Sequence, residues 1–535
     1  MKNRQVDFFS HRLLPPIVTD YLAGNDFLKP FYKYIPSYDS VPSVIKDKSG
    51  QKIDRNLLSE ILTKQYSSIN PSEKVKENIS LLKSEKTFTV TTGHQLNLFT
   101  GPLYFIYKIL TTIQLAAKFS ERFPEYRFVP VYWMATEDHD FEEINHIHLF
   151  GEKLEWQKKG IKNAGGPSGK LGTENIEPLI ELIGQKIKNE NGSEKVIELL
   201  RNAYVKHHSL AAATQYLVNE LFGKYGLLIL DANERQLKEK FAEVMKDDLL
   251  NHTSFKLVNE TSKRLEEKYD VQVHPREINL FYMTDNSRER IAADDKKYLK
   301  ELETAPEKLS PNVVLRPLYQ EMLLPNVAIV GGPAEIAYWL QYKKMLEYYN
   351  VNFPMLVLRK SFMFLDEKVT GVMKQLNLNV EDLFLPVDDL INNFIDGIPG
   401  VNLDDERKAI EKSFLSVIEK LSSTDATLKS SAEAEREKAL QSIEKLELKL
   451  RKAEKNKHDI EIGKIKKLKE KLFPEGMPQE RYENFIPYYL KYREEFFEML
   501  LSNGDVFDFK LNVLHGGKTP EGKTSEAAFP PTSGQ

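Results

Sequence analysis

The sequence of 535 residues contains no cysteine. This absence excludes disulfide bonds, zinc sites built from cysteine and a cysteine nucleophile, and it suits a reducing compartment. The chain also lacks a run of about 18 apolar residues that would be long enough to span a bilayer. Residues 1–21 contain no apolar core of the kind found in signal peptides. We therefore expect a cytoplasmic protein that has no membrane partner.

An excess of positive charge is missing as well. The formal net charge is −4 at pH 7, and the isoelectric point is about 6.3. Proteins bind the polyanionic backbone of nucleic acids largely through lysine and arginine, so nucleic acid is not an expected partner. Hydrophobic residues make up 41% of the chain and charged residues 29%, which is typical of folded proteins. At about 150 residues per domain, the length predicts several cores.

A strand, a glycine turn, a helix and a second strand are predicted early in the chain. The segments are, in order, residues 86–92, 93–95, 102–119 and 127–135. Further buried strands are predicted at residues 226–231, 327–330 and 354–358. Because each strand has a helical segment beside it, the pattern favours a doubly wound α/β fold with a parallel sheet.

The predicted sheet belongs to a core that we expect to occupy residues 1–400. Two segments between its strands, at about 152–219 and 234–310, are too long to be simple crossovers. We expect these two segments to be inserted subdomains. Residues 476–515 are again rich in aromatic side chains, which predicts that the chain returns to the core, and 516–535 are expected to form a flexible tail.

Residues 401–475 differ from the core because glycine and proline nearly vanish while lysine and glutamate become frequent. A heptad spacing of apolar positions runs through Ile410, Phe414, Val417, Leu421, Thr424 and Leu428. The spacing predicts an antiparallel α-helical coiled-coil arm. Such an arm either joins two copies of the chain or folds back on itself within one copy.

The first candidate site is the turn at the end of the first predicted strand. It contains Gly93, His94 and Gln95, and Gly101 follows just before the predicted helix. Ligands of open α/β sheets lie at the carboxyl ends of the strands, and helix N-termini favour anions. The turn therefore predicts a nucleotide phosphate site, where His94 would donate to a phosphate or a leaving group. The alternative is a tight turn in which His94 caps the helix.

The second candidate site follows the strand that ends near residue 135. It contains Glu137, Asp138, His139 and Asp140, and Asn145 lies a little further on. Acidic and imidazole groups collected at a strand end indicate binding of an amine or transfer of a proton. Zinc binding is less favoured because no cysteine is available and the ligand spacing is wrong. The other alternative is a solvated acidic turn.

The third candidate site combines Arg316 with a glycine turn further along the chain. The turn consists of Gly331 and Gly332, and Glu335 and Tyr338 follow in a predicted helix. Glycine lets the backbone approach a ligand closely, and arginine is suited to binding carboxylate or phosphate. The alternative is that Glu335 only complements the helix dipole and Tyr338 belongs to the core.

The fourth candidate site is the short polar sequence Arg359, Lys360 and Ser361 at the end of the last predicted strand. Two cations and a hydroxyl group at this position would stabilise a polyphosphate during group transfer. The alternative is an ordinary polar surface.

Three long segments, residues 93–104, 130–145 and 331–339, together resemble the cysteine-adding enzymes of bacillithiol biosynthesis, the BshC family. The resemblance covers nearly the whole chain. It implies a Rossmann-like core with connective insertions, and a coiled-coil arm that helps to form a homodimer. The implied reaction is a ligation that joins L-cysteine to the amine of glucosaminyl-malate.

Amide formation from a free carboxylate requires activation of the cysteine carboxyl group. We expect ATP to supply it, through an adenylate or an acyl phosphate, with Mg²⁺ carried by the nucleotide and no protein-bound zinc. Under this hypothesis Asp138, His139 and Asp140 bind the amines or remove a proton. Arg316 binds the malyl carboxylates.

Nucleotide phosphates would contact residues 93–95 and the pair Arg359 and Lys360. Two rival functions fit the same motifs. One is a nucleotidylyl transferase that acts on another small acid, and the other is a non-catalytic, nucleotide-sensing dimeric scaffold.

Overall fold

A computed structural model describes residues 3–11, 13–292, 297–399 and 401–516. The flexible tail expected at residues 516–535 lies outside the described residues except for Gly516. The chain divides into two compact units, and residues 3–363 with 480–514 form the larger one. The smaller unit is formed mainly by Phe364–Gln479.

The described residues form the strands β1 Asn3–Asp7, β2 Thr87–His94, β3 Arg127–Met134, β4 His146–Leu149, β5 Glu152–Glu155, β6 Leu228–Asp231, β7 Leu280–Met283, β8 Arg288–Arg290, β9 Leu309–Pro311, β10 Asn326–Gly331, β11 Met355–Leu358, β12 Ser361–Leu365 and β13 Lys510–His515. They form the helices α1 Pro16–Leu22, α2 Val41–Ser49, α3 Arg55–Gln65, α4 Glu73–Leu81, α5 Leu103–Arg122, α6 Phe141–Ile144, α7 Glu177–Ile187, α8 Ser193–Tyr204, α9 Leu210–Phe222, α10 Arg235–Asn251, α11 Thr253–Leu265, α12 Lys297–Thr304, α13 Arg316–Leu323, α14 Pro333–Trp339, α15 Lys343–Tyr348, α16 Glu367–Gln375, α17 Val387–Asp396, α18 Asp404–Thr424, α19 Leu428–Lys457, α20 Asp459–Leu472, α21 Gln479–Tyr482, α22 Ile486–Tyr492 and α23 Glu495–Ser502.

A five-stranded parallel sheet in the order β11-β10-β2-β3-β6 forms the centre of the larger unit. Every residue of β10 and β11 is buried, which shows that both faces of the sheet are covered. In chain order, β3 and then β6 are added on one side of β2. The later strands β10 and β11 are added on the other side of β2. This reversal makes the carboxyl ends of β2 and β10 the topological switch point. The expected doubly wound α/β fold is confirmed.

The core of this unit is apolar and lies between the sheet and helices α2 and α5. It includes Phe88, Val90, Phe119, Phe128 and Val330, all nearly inaccessible to solvent. Helix α5 packs against β2 and β3, as the predicted strand, turn, helix and strand require. Its amino end therefore lies just beyond the end of β2.

The two expected insertions contain their own secondary structure. Helices α7, α8 and α9 lie between β5 and β6. Between β6 and β10 the chain forms α10 to α12 and a small antiparallel sheet in the order β8-β7-β9. After the arm, residues 510–514 of β13 pair antiparallel with β1 within the larger unit.

The smaller unit contains the arm, in which α18 and α19 pack against each other across the turn at residues 425–427. It begins at Phe364, earlier than the expected boundary at residue 401. The reason is a separate apolar cluster that joins α17 to α20 and includes Leu390, Ile395 and Ile465.

The predicted heptad seam does not run through the turn. Thr424 ends α18 and Leu428 begins α19. The two residues therefore lie on different helices and cannot belong to one continuous heptad repeat. In α18 the side chain of Ile418 is buried, whereas that of Val417 is 46% exposed. The seam predicted through Val417 is therefore wrong by one position, although the coiled-coil arm itself is confirmed.

No helix within the described ranges combines the length and the apolar character that a membrane span requires.

A buried ion pair links α2 to α13 beneath the sheet's central strands. Lys48 Nζ lies 3.0 Å from Glu321 Oε2, and both side chains are fully buried. Glu321 also accepts a hydrogen bond of 2.8 Å from Asn326 Nδ2 in β10. Burial lowers the pKa of Lys48 and raises that of Glu321, so each charge depends on the other.

We expect Lys48→Met to lower the free energy of unfolding by about 3–5 kcal/mol, because a buried carboxylate loses its counter-charge. Urea unfolding measures the loss. Lys46→Met, on the exposed face of the same helix, is the matched control and is expected to change the value by less than about 0.5 kcal/mol. Equal losses in the two variants would contradict the prediction.

Candidate functional site

A cleft of about 320 Å³ opens at the carboxyl ends of β2, β3, β10 and β11. The predicted site residues that line it are Gly93, His94, Gln95, Asp138, Arg316, Gly332, Glu335, Tyr338 and Arg359. These residues come from all four candidate motifs. The structure therefore brings the four sequence motifs together at the switch point of the sheet.

The cleft has more cationic than anionic side chains. Lysine and arginine contribute Lys108, Arg316, Arg359 and Arg481, and the acidic side chains are Asp138, Glu143 and Glu335. Positive charge in a concave, partly desolvated site attracts anionic ligands. The lining therefore favours a ligand that has a carboxylate or phosphate group and also a hydrogen-bond donor for the acidic side chains.

His94 is held in one tautomer at the end of β2. Its Nδ1 lies 3.0 Å from the carbonyl oxygen of Gln95, and because a carbonyl only accepts, Nδ1 is the protonated nitrogen. Its ring packs against Tyr104 and Phe105. Burial, helped by the nearby cation of Lys108, lowers the pKa of His94 to about 3. The ring is thus neutral near pH 7 in the absence of a ligand, and the expected role of His94 as a donor to a phosphate or a leaving group stays a prediction.

Asp138 is kept ionised by its neighbours. Its Oδ2 accepts a 2.9 Å hydrogen bond from Gln95 Nε2, which also donates to Glu143 Oε2 at 2.8 Å. Burial favours the protonated acid, but the bond from Gln95 and the charges of Arg316 and Arg288 outweigh it and lower the pKa of Asp138. Asp138 therefore presents a carboxylate to the cleft.

Arg316 begins helix α13 and lines the cleft. Burial opposes its charge, but interactions with Tyr338, Asp138 and Glu335 outweigh the penalty and raise the pKa of Arg316. Tyr338 lies on α14, so its hydroxyl group and the guanidinium are supplied by two different elements. The guanidinium stays charged and is positioned for an anion.

Glu335 has structural partners on both sides. Its Oε2 accepts a 2.8 Å hydrogen bond from the backbone nitrogen of Gly332 and lies 2.7 Å from Lys108 Nζ. Lys108 also donates to the carbonyl oxygen of Gly93. Glu335 and Lys108 thus hold the carboxyl end of β2 and the glycine turn after β10 next to each other.

Arg359 is fixed by a bidentate ion pair with Glu480. Its Nη1 and Nη2 donate to the two carboxylate oxygens at 2.9 and 2.7 Å. Nη1 also donates to Ser361 Oγ at 3.0 Å. The Nε atom is buried and has no hydrogen-bond partner among the residues that the structure describes, and it lies 3.8 Å from the point where a Cβ on Gly332 would be. One N–H group of Arg359 is therefore available at the cleft.

Lys360 and Ser361 do not line the cleft. Lys360 Nζ donates to Gln114 Oε1 at 2.9 Å and to the carbonyl oxygens of Leu500 and Gly504, and burial lowers the pKa of Lys360 to about 7. Neighbouring residues of an extended chain point in opposite directions, so only Arg359 faces the cleft. Lys360 therefore does not reach the cleft as expected for a phosphate contact. Its ammonium group instead binds Gln114 and the backbone near Leu500 and Gly504.

Four residues of the acidic motif lie outside the cleft, and one of them, Glu137, lines a neighbouring cavity. Asp140 caps α6 and accepts a hydrogen bond of 3.3 Å from the backbone nitrogen of Glu143. Asn145 is buried at the end of α6, 3.4 Å from Glu142. His139 is half exposed and accepts a 3.2 Å hydrogen bond from Arg288 at Nδ1.

The glycines Gly101 and Gly331 serve the turns and do not line the cleft. Gly101 has φ of +63°, and a Cβ there would lie 2.6 Å from the side chain of Asn97. The carbonyl oxygen of Gly101 accepts a 2.7 Å hydrogen bond from Asn484. Gly331 ends β10, where its carbonyl oxygen accepts from the backbone nitrogen of Arg359.

A second cavity, of about 410 Å³, adjoins the cleft on the β3 side, and we call it the annex. Its lining is Trp133, Ala135, Glu137, Asp138, His274, Arg276, Phe281, Arg288, Arg290, Pro311, Asn312, Val313 and Arg316. Four of these residues, Trp133, Ala135, Asp138 and Arg316, also line the cleft, so Asp138 and Arg316 are the charged residues on the boundary of the two cavities. Glu137 faces the annex and forms an ion pair with Lys238.

Sequence reasoning missed several charged residues of these cavities. Lys108 is the one cation among the buried residues of α5, and a lone lysine in an apolar helix is a usable signal of a buried ion pair. Arg288 and Arg290 alternate on a strand, which places them on one face. Among the described residues, no group of three or more histidine, aspartate or glutamate side chains is arranged to hold a metal ion.

Because His94 is neutral in the folded protein, we expect the stability of the protein to depend on pH. Between pH 6.5, its ordinary pKa, and about 3, the unfolded chain binds a proton that the folded chain does not. Stability is therefore lost as the pH falls, by up to about 1.4 kcal/mol per pH unit from this group. We expect His94→Gln to flatten the loss between pH 6 and 4, as measured by urea unfolding.

The control for this experiment is His208→Gln, which removes a solvent-exposed imidazole. We expect this control to keep the slope of the wild-type protein. The same slope in His94→Gln and the wild type would show that His94 is not buried in its neutral form.

Comparisons with known proteins identify the family. The family model described as bacillithiol biosynthesis BshC, N-terminal Rossmann-like domain, matches residues 1–360, and the one described as its C-terminal coiled-coil domain matches residues 362–515. A protein of Flavobacterium johnsoniae named cysteine ligase BshC is 39% identical over 93% of this chain and 97% of its own length. A protein of the same name from Flavobacterium psychrophilum is 41% identical over 90% of this chain and 93% of its own length. A protein of the same name from Bacillus cereus is 26% identical over 93% of this chain and 97% of its own length. The chain belongs to the BshC family of bacillithiol biosynthesis.

Proposed function

We propose that this protein is a cysteine ligase that joins the carboxyl group of L-cysteine to the amine of glucosaminyl-malate. Membership of the BshC family supports the reaction. The observation that carries the proposal is the pair Asp138 and Arg316 on the boundary of two adjoining cavities. Asp138 supplies a carboxylate that can accept a hydrogen bond from an amine, and Arg316 beside it supplies a cation that can bind an anion. Both are required to hold two charged small molecules next to each other for coupling.

The nucleotide subsite is proposed at the switch point between β2 and β10. Gly93 and Gly332 let a ligand approach the backbone there, and the unpartnered Nε of Arg359 supplies a donor for an anionic oxygen. We infer that ATP binds at this position, with Mg²⁺ held by the phosphate oxygens. When bound, ATP supplies the energy that converts the cysteine carboxylate into an acylating group.

Asp138 is proposed to orient the amine that attacks. Because its neighbours keep it ionised, it is a weak base and a strong hydrogen-bond acceptor. As the amine nitrogen forms the amide bond, positive charge develops on it, and the carboxylate stabilises that charge. The proton then leaves through solvent, since burial lowers the pKa of His94 to about 3 and makes its Nε2 a poor base.

The cellular setting is also a proposal. An enzyme whose substrate is a free thiol, and which itself has no cysteine, suits a reducing compartment. We propose the cytoplasm. We further propose a homodimer formed through the arm, because Leu415, Leu446 and Leu448 on its helices are more than half exposed and such apolar surface favours association.

The ligase proposal is tested by incubating the full-length protein with ATP, L-cysteine and glucosaminyl-malate and measuring the thiol product by mass spectrometry. We expect Asp138→Asn to lower the rate by about 100-fold, because it removes the charge that stabilises the developing ammonium. Asp140→Asn is the matched control. Asparagine is as good a helix cap as aspartate, so its rate should stay within about twofold of wild type.

No product from the wild-type protein would reject the ligase proposal. ATP consumption without a thiol product would then favour the nucleotidylyl transferase, and nucleotide binding without consumption would favour the scaffold. Equal rates in the two aspartate variants would reject the role of Asp138.

The dimer proposal is tested by analytical ultracentrifugation. We expect twice the 61.8 kDa mass of one chain, and a shift to monomer when Leu415 and Leu446 are both replaced by lysine, because the charges oppose burial. Glu444→Lys, at an exposed polar position of the same arm, is the control and should remain dimeric. A wild-type protein that sediments as a monomer would contradict the proposal.

A further inference from the structure

The annex is a strongly cationic cavity that adjoins the cleft. We propose that it is the subsite for the dicarboxylate end of the acceptor substrate, with Arg276, Arg288 and Arg290 as its binding residues together with Arg316. This inference rests on the proposed function, because it assigns a place to the malyl group of glucosaminyl-malate. It adds three arginines to the substrate-binding residues expected from the sequence.

Arg288 is built into the wall of the annex. Its Nε and Nη2 lie 3.3 and 3.2 Å from Ser310 Oγ, on strand β9 of the same small sheet. Its guanidinium stacks 3.9 Å from the ring centre of Phe281 on β7, and only 9% of its side chain is exposed. These contacts fix the direction of the guanidinium, so that the cation is in place before a ligand binds.

Arg276 and Arg290 are exposed at the mouth of the annex. Among the described residues, no carboxylate lies within ion-pair distance of either side chain. Free guanidinium groups bind carboxylates in a bidentate manner. Two arginines at the mouth and two on the wall are therefore a suitable set for two carboxylates.

The acidic residues of the annex do not cancel this charge. Glu137 is neutralised by Lys238, whose own side chain is fully buried. Asp138 interacts with Gln95, with Arg316 and with Arg288, whose Nη1 lies 3.9 Å from Asp138 Oδ1. Four arginines thus face one ion-paired and one shared carboxylate, and the remaining field attracts a multiply charged anion.

Position in the fold favours a dicarboxylate over the nucleotide phosphates. The switch point between β2 and β10 is the expected nucleotide position, whereas the annex lies beyond β3 and is enclosed by the β8-β7-β9 sheet. A malyl group in the annex would place the attached glucosamine at the boundary, next to Asp138. The amine would then enter the cleft from one side while the nucleotide occupies the other.

The test uses the full-length double variant Arg276→Gln and Arg290→Gln, because both side chains are exposed and their loss should leave folding intact. L-Malate is the probe, and isothermal titration calorimetry measures its Kd. We expect Kd for malate, and KM for glucosaminyl-malate, to rise by about tenfold or more, while KM for ATP and for cysteine stays within about twofold. The matched control is Arg407→Gln, an exposed arginine of the arm, which should behave as wild type.

A double variant that binds malate and glucosaminyl-malate as tightly as wild type would overturn the proposal. A rise in KM for ATP alone would also overturn it and identify the annex as a phosphate subsite. Malate binding that is lost in the double variant supports the annex even if the wild type forms no thiol product, so failure of the ligase proposal is separately visible. Failure of malate to bind the wild type would reject the subsite.

Discussion

The structure of the site depends on one constraint, which is that charges placed in a desolvated cleft need partners. A lone buried ion is costly, and removing one partner of a buried pair leaves the other uncompensated. Here Lys108 pairs with Glu335, Arg359 with Glu480, and Arg316 interacts with Asp138. Each pair joins residues from different elements.

This pairing also explains how the site is kept rigid. Lys108 binds the carboxyl end of β2 and Glu335 binds the turn after β10, so the ion pair between them connects the two strand ends at the switch point. The bidentate pair of Arg359 and Glu480 fixes the guanidinium and leaves only Nε unpartnered. A site whose donors are already oriented requires little reorganisation when charge develops in a reaction.

The sheet and the general position of the site were predictable because their signals are local. Runs of buried β-branched residues identify parallel strands, and the carboxyl ends of such strands meet at one edge, which places Gly93, Asp138 and Gly332 together. The partners were not predictable, since Glu335 and Glu480 lie far along the chain from Lys108 and Arg359. No spacing rule connects residues that meet only through the tertiary fold.

Errors within the motifs have the same origin at shorter range. Asp138 and Asp140 are two residues apart, yet Asp138 ends in the cleft while Asp140 caps the helix that begins at Phe141. Arg359 and Lys360 are adjacent, yet the alternation of an extended chain sends them to opposite sides. A charged motif therefore indicates that a site is near, but the direction of the local backbone decides which of its members reaches the ligand. The same alternation brings Arg288 and Arg290 to one face of β8, and a strand that carries two arginines on one face beside a cavity is an anion site that composition alone does not reveal.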